Sequence, residues 1–230
     1  GFTTTGSTVI VDIESLPNAI LLWRSLTQWV GGLGILALFV ALLSTLGVSG
    51  KSLMGQETSM NLSDSPTARM RDLTMRLWMV YGGLTVACWL GLLIIGQTLA
   101  NPVSAFHALL YSLTTVSTAG FAPHNASVGY FDSPAIEIFL CVFMLVSSVS
   151  MILVVNIASG NFSSKTGRTE AMCFISLVVL AWLAVTANLW LSGESTGWTA
   201  ARHALFPVVA MSTTTGFGTQ DYDQWPLVSR

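Results

Sequence analysis

Residues 107–121 read HALLYSLTTVSTAGF, and residues 203–217 read HALFPVVAMSTTTGF. Aligned without a gap, His107 falls on His203, Ala108 on Ala204, Leu109 on Leu205, Thr118 on Thr214, Gly120 on Gly216 and Phe121 on Phe217. The chain opens with Gly1-Phe2-Thr3-Thr4-Thr5, which reads as the tail of the same phrase. An apolar stretch that ends in small hydroxyl residues and a glycine suits a re-entrant pore loop. Its short helix enters the membrane part-way, and an extended backbone returns, lined with carbonyl oxygens.

Composition agrees with a membrane setting. Of 230 residues, 52% are hydrophobic and 9% charged, against about 25% charged in soluble domains. A net charge of −2 argues against nucleic-acid binding by bulk electrostatics. Cys88, Cys141 and Cys173 all lie in apolar runs without metal-like spacing and read as small core residues. A start at Gly1, inside the motif and without Met or signal peptide, implies an internal piece of a longer protein.

Four uncharged runs, 25–48, 77–98, 138–157 and 171–193, meet the length of about 20 apolar residues for a spanning helix. Trp23, Trp29, Trp78, Trp190 and Trp198 lie near their ends, as interfacial anchors do. Between the second and third runs, Asn101-Pro102 supplies a helix start, an Asn cap with Pro at the first helical position. A helix from Pro102 to about Thr115 would be roughly 20 Å long, too short to cross, so it can only enter and return.

Basic residues orient the chain. Lys51, Arg69, Arg71 and Arg76 fall in 49–76, and Lys165 and Arg168 in 158–170. The segments with the repeated phrase carry Asp132, Glu194, Asp221 and Asp223, with Arg202 and Arg230 as exceptions. The positive-inside rule puts both basic loops in the cytoplasm and all three phrases outside. The expected fold is an all-α membrane protein of tandem span–pore loop–span repeats. Residues 1–50 end repeat one, 51–76 form a cytoplasmic loop, and 77–157 form repeat two. Residues 158–170 form a second cytoplasmic loop, and 171–230 form repeat three without its inner helix.

A desolvated monovalent cation needs oxygens that replace its water without a fixed negative charge. The backbone carbonyls of Ser117-Thr118-Ala119-Gly120 and Thr213-Thr214-Thr215-Gly216, with Ser and Thr hydroxyls beside them, fit that need. Each preceding short helix would point the negative end of its dipole toward the ion.

Here the resemblance becomes specific. Trp23-Arg24 followed by Gln28-Trp29-Val30-Gly31-Gly32-Leu33-Gly34, the stretch Gly120 to Ile136, and Trp225-Pro226 resemble motifs of the Trk/Ktr/HKT superfamily of potassium transporters. The chain is most similar to the bacterial TrkH-type subunits, over essentially its whole length. The resemblance implies four repeats around one pore, with one filter glycine from each. By position these are Gly1 (with Phe2), Gly120 and Gly216, with K+ held by the carbonyls of Thr118, Ala119, Gly120, Thr214, Thr215 and Gly216. It implies potassium uptake through the bacterial inner membrane, no enzymatic activity, no cofactor, a homodimer, and a cytoplasmic nucleotide-binding regulatory subunit. In plant relatives a Gly rather than Ser at the first filter accompanies potassium permeation, and this chain has Gly1. Sodium permeation or ion coupling within the superfamily is the alternative.

Three features depart from the family pattern. Pro207 falls inside the third pore helix, where it should kink or shorten it. Ser147-Ser148-Val149-Ser150-Met151 replaces a more polar stretch, and Gly218-Thr219-Gln220 follows the third filter.

His107 and His203 read as helix-surface packing, a pH sensor being the alternative. His124 stands where it can tune the outer vestibule. Arg24 reads as an interfacial anchor, and Gly31-Gly32 and Gly34 as sites of close helix approach. Asn125-Ala126-Ser127 matches a glycosylation triplet that a bacterial source would leave unused. A secondary transporter of unrelated fold would need inverted repeats and broken spans, whereas these repeats are parallel. An intramembrane enzyme would need reactive groups in the spans, which contain no Asp, Glu, His, Lys or Arg.

Overall fold

Long apolar runs without strand-like alternation become helices, and the structure, a computed structural model, contains no strand among its described residues. These are residues 1–45, 66–98, 102–149, 165–192 and 197–219. Helix α1 spans Asn18–Thr45 and α2 spans Pro66–Gly96. The short α3 covers Ala105–Val116 and is followed by a 3-10 turn at Ser127–Phe131. Helix α4 spans Pro134–Ser148, α5 Lys165–Leu191 and α6 Trp198–Ser212.

Thr74–Gly96 within α2 and Thr169–Leu191 within α5 are each 23 residues long and apolar enough to cross a bilayer. At 1.5 Å per residue α3 is about 18 Å long and cannot cross. Its start differs from the Asn101-Pro102 expectation. Ser104 is the cap, its hydroxyl accepting from the His107 N–H at 3.2 Å, while Asn101 lies outside the described residues. Val103 is drawn back toward the end of α2 through the Gly96 carbonyl at 3.4 Å, which delays the helix by three residues.

Pro207 does not shorten the third pore helix. Helix α6 runs for 15 residues through it, against 12 for α3. Proline forfeits only its own amide bond, and buried Ala204, Phe206, Val209 and Ala210 hold the helix by packing. The run expected to span at 138–157 begins earlier, at Pro134, and α4 ends at Ser148. Val149 is extended (φ −64°, ψ 146°), and the Ser148 hydroxyl donates to the Leu145 carbonyl at 2.9 Å. Serines that bond back to the helix carbonyls in this way favour its ending. Residues 150–164, most of the loop 49–76, and Glu194, Asp221, Asp223 and Trp225-Pro226 lie outside the described residues.

The repeats are visible in the packing. Helix α3 packs against α2 of its own repeat and α1 of the preceding one. Helix α6 packs likewise against α5 and against α4. A tryptophan ties each pore helix to its own outer helix. Trp89 Nε1 donates to the Ala105 carbonyl at 3.0 Å, and Trp182 Nε1 donates to the Ala201 carbonyl at 2.9 Å. Ala105 and Ala201 are equivalent in the repeat, so the two ties are the same device used twice.

The core lies between the repeats, with Tyr81, Cys88 and Leu92 of α2 meeting Tyr111, Ile136, Leu140, Met144 and Phe206. Trp29, expected as an anchor, belongs here instead. It donates to the Thr85 hydroxyl at 3.0 Å and sits 5.4 Å from the Tyr81 ring. Cys88 and Cys141 are buried, but Cys173 faces outward on α5. That helix leaves Ile175, Leu177, Leu180 and Leu183 exposed. Such a surface is soluble in hydrocarbon rather than water.

Candidate functional site

One unusual backbone conformation recurs three times, twice directly after the short helices α3 and α6. Thr118 and Thr214 are left-handed, with φ of 49° and 58°, and two residues later Gly120 and Gly216 are left-handed at 76° and 75°. Ala119 and Thr215 between them are not. The same pair occurs at the start of the chain, where Thr4 has φ 52° and Gly6 φ 73°.

Hydrogen bonds repeat in the same register. The Thr118 N–H returns to Thr115 at 3.0 Å and that of Ala119 to Thr114 at 3.0 Å, the paired bonds of a Schellman helix ending. Thr214 returns to Met211 at 3.0 Å, and Thr4 to Gly1 at 2.9 Å. By conformation, then, Thr3-Thr4-Thr5-Gly6 matches Ser117-Thr118-Ala119-Gly120 and Thr213-Thr214-Thr215-Gly216. This corrects the expected register. Gly1 stands level with Thr115 and Met211, Phe2 with Val116 and Ser212, and Gly6 is the counterpart of Gly120 and Gly216. The shared letters Gly-Phe suggested one alignment, but the left-handed turn is what recurs.

The loops converge. A Cβ at Gly6 would come within 2.5 Å of the Ala119 carbonyl oxygen, and one at Gly120 would strike the Thr215 carbonyl. Each carbonyl before a loop glycine therefore lies against the glycine of the preceding repeat. Only glycine meets both demands, the positive φ and the backbone contact. Ala119 and Thr215 are buried, whereas Thr214 and Gly216 are exposed and Thr118 and Gly120 half-buried. The hydroxyls of Ser117 and Thr213 do not extend into the loops as donors. They donate to the Leu113 and Val209 carbonyls at 2.9 and 2.8 Å, adding a second bond to carbonyls that already accept from the Ser117 and Thr213 N–H groups.

Helix α1 holds the first two loops together. Gly31 abuts the Phe2 carbonyl, and a Cβ at Gly32 would lie 2.8 Å from the Tyr81 hydroxyl and 3.2 Å from the Ser117 Cβ. Gly31 thus admits a loop, Gly32 admits the Tyr81 side chain of α2 beside Ser117, and a Cβ at Gly34 would meet nothing within 4 Å. Gln28 is fully buried. Its Nε2 donates to the Ala119 carbonyl at 2.9 Å, and its Oε1 accepts from the Phe121 N–H at 3.1 Å. Arg24, expected as an interfacial anchor, is half-buried and engaged within the protein. Its guanidinium lies 4.4 Å from the Phe121 ring centroid and donates to the Thr8 hydroxyl at 3.0 Å.

Above the loops, His124 stacks on Tyr130 at 3.6 Å and meets His107 edge-on at 4.8 Å. Its Nδ1 is 3.3 Å from Glu14. Asn125 accepts from the Ile13 N–H at 2.8 Å and donates to Asp12 at 2.9 Å. That donated bond, first among several, holds the Asp12 carboxyl below its ordinary range. The Asn125 amide is thus engaged at both ends. Among the described residues no group of His, Cys, Asp or Glu has the arrangement to hold a metal ion.

Residues 1–189 match the family model for TrkH, described as a cation transport protein. The chain belongs to this family. It is 40% identical over 229 residues to the Trk system potassium uptake protein TrkH of Halomonas elongata, covering 98% of this chain and 46% of that one. To the protein of the same name from Escherichia coli K12 it is 38% identical over 230 residues, covering 99% and 46%. The crystal structure of the potassium transporter TrkH from Vibrio parahaemolyticus superimposes with a TM-score of 0.82 at 36% identity, over 99% of this chain and 45% of that one. The chain thus spans about half the length of the curated relatives it matches. Its fold is that of an all-α TrkH-type membrane protein.

Sequence reading quoted Gln28 only as part of a motif and began the third run after Glu137, so it assigned neither a role. A signal for Gln28 was available, since it is the one carboxamide in the charge-free run 25–48. A buried amide in such a run requires partners.

Proposed function

We propose that this TrkH-family chain contributes three of the loops that form the cation filter of a potassium uptake transporter. What carries the reading is the threefold recurrence of the left-handed Thr-Xaa-Gly turn, twice directly after a short helix, in loops that converge. The filter residues are Thr3 to Gly6, Ser117 to Gly120 and Thr213 to Gly216. The loop carbonyls that are not held by a protein donor, that of Gly120 among them, offer a dehydrating K+ neutral oxygens, and a fourth loop of the whole transporter completes the ring. The Ser117 and Thr213 hydroxyls serve the helix ends, and backbone carbonyls are the ion's ligands.

The loops face the outside of the bacterial inner membrane, and the basic stretches 49–76 and 158–170 face the cytoplasm. Two copies pair in the membrane, and a nucleotide-binding subunit regulates them from the cytoplasmic side. Transport, not bond-breaking chemistry, is the activity.

The test uses the full-length protein in a strain that cannot take up potassium. Gly120→Ser and Gly216→Ser at wild-type membrane abundance should fail to restore growth at limiting potassium and should lose rubidium uptake. Gly6→Ser should fail similarly, while Gly1→Ser, whose Cβ meets the Thr27 side chain rather than the backbone of another loop, should be milder. Rescue by all the loop-glycine variants at the wild-type rate would remove the filter assignment. The opposite ranking of Gly1 and Gly6 would restore the alignment on Gly1.

A further inference from the structure

Gly120 separates two peptide units, and one side chain from another repeat holds both. The Ala119 carbonyl belongs to the unit before Gly120, and the Phe121 N–H to the unit after it. Gln28 donates to the first at 2.9 Å and accepts from the second at 3.1 Å. The partners fix which end of the carboxamide is which, because a carbonyl only accepts and an amide N–H only donates. The Gln28 amide acts as a strand partner would, closing a pair of bonds across a glycine.

Such a clamp has work to do here. Glycine accepts either sign of φ at little cost, so the peptide planes beside it are the least fixed by sterics in the loop. In a trans peptide the N–H and C=O point in opposite directions, and no peptide bond here is cis. With its N–H held on Gln28, the 120–121 unit must therefore direct the Gly120 carbonyl away from α1. The 119–120 unit is held with its carbonyl toward Gln28, where it also lies against Gly6 of repeat one. The side chain is fully buried, so no water replaces it if it is removed.

The geometry points to Gln28 as a positioning residue for the filter. From repeat one it sets the orientation of both peptide planes at Gly120 in repeat two, and with them the direction of the Gly120 carbonyl. The functional half of this inference rests on the potassium-pathway reading, and the structural half does not. Arg24, one turn earlier on the same helix, lies over the Phe121 ring and limits the same segment from the side.

Three variants of the full-length protein separate the possibilities. Gln28→Leu removes both bonds. Gln28→Glu, read at a pH alkaline enough to ionise the buried carboxyl, keeps an acceptor for the Phe121 N–H but sets a carboxylate oxygen against the Ala119 carbonyl. Thr85→Val removes the Trp29–Thr85 bond and the Thr85 hydroxyl's bond to the Tyr81 carbonyl at the same helix interface, leaves Gln28 untouched, and serves as the packing control. In detergent, amide hydrogen exchange at Phe121 should be about 10-fold faster or more in Gln28→Leu, the scale of one lost buried hydrogen bond. It should stay near wild type in Gln28→Glu and Thr85→Val.

In proteoliposomes, both Gln28 variants should lose rubidium-over-sodium discrimination by about 10-fold, again the scale of one such bond. Thr85→Val should keep it. A merely structural glutamine would give Gln28→Glu the same discrimination as Thr85→Val, and that result overturns the proposal. Unchanged Phe121 exchange in Gln28→Leu overturns the clamp itself. If Gln28→Leu does not fold, Gln28→Glu against wild type decides by discrimination alone. If wild type moves neither ion, the transport reading fails, and the exchange measurement still decides the clamp.

Discussion

Arg202 holds Glu137 with two nitrogens, Nε at 2.9 Å from one carboxylate oxygen and Nη2 at 2.8 Å from the other. The pair joins the first turns of α6 and α4, and so ties repeat three to repeat two. Nη2 also reaches Asp132 at 3.1 Å. The hydrogen bonds to Glu137, ahead of the other influences, hold the Arg202 pKa above its ordinary value. Glu137 lies at a helix N-terminus, where the dipole adds to the preference for a carboxylate. Arg202, the basic exception among acidic outer residues in the sequence, is thus neutralised within the fold.

Removing one partner of this pair should destabilise the protein without touching the loops. Arg202→Gln is expected to cost about 1–3 kcal/mol, the range for a charge-assisted bond with a largely buried carboxylate left behind. Arg202→Lys should recover only part of this, because an ammonium cannot present the planar fork. Thermal unfolding of the full-length protein in detergent reads both. An Arg202→Gln melting temperature equal to wild type would show that the pair contributes nothing.

Acid should weaken the outer vestibule through His124. Burial pushes its imidazole pKa below the ordinary value, against the opposing pull of Glu14, and His107 beside it is also lowered by burial first. A histidine whose folded pKa is depressed takes up its proton more readily when unfolded. Its contribution is therefore full above the unfolded pKa of about 6.5 and is lost as pH falls through the folded value. The buried Nε2 has no hydrogen-bond partner, so protonation there brings no new bond. Melting temperature should fall between pH 7 and pH 5 in wild type. In His124→Phe, which keeps a ring against Tyr130, the fall should be shallower. Equal slopes would sink the assignment.

Thr118 has φ of 49°, a conformation in which a β-branched residue is strained by about 1–2 kcal/mol. Thr118→Gly relieves that strain and loosens the unfolded chain by about 0.5–1 kcal/mol. Its melting temperature should match or exceed wild type. Thr115→Gly, one turn earlier in regular helix, also loses the hydroxyl bond to the Tyr111 carbonyl at 2.7 Å and should cost about 1 kcal/mol or more. If Thr118→Gly keeps its stability and loses rubidium selectivity, the strain at Thr118 serves conduction. A clear drop in its stability would show that the left-handed turn is not strained.

Much of this molecule was legible before any contact was known. The spans follow from apolar length, and the short helices from runs that end in hydroxyls and glycine. The repeat follows from matched letters at 107–121 and 203–217. What misled was identity taken for equivalence. Gly1-Phe2 copies the letters of Gly120-Phe121, yet Gly6 takes the conformation. Pro207 and the Asn101-Pro102 start failed for a related reason. Each is a local preference of modest size, and burial around α6 and the Ser104 cap outweighed it.

The sequence by itself determined the membrane setting, the helices too short to cross, and the hydroxyl-and-glycine loops that follow them, because these depend on hydrophobic length and on the backbone freedom of single residues. Only the tertiary structure decided the register of the first loop, the grip of Gln28 on the two peptides at Gly120, and the Arg202–Glu137 tie between repeats. Those partners stand 65 to 93 residues apart in the chain. Local preference carries no information about which of many buried polar groups will satisfy one another. Packing one repeat against the next makes that choice.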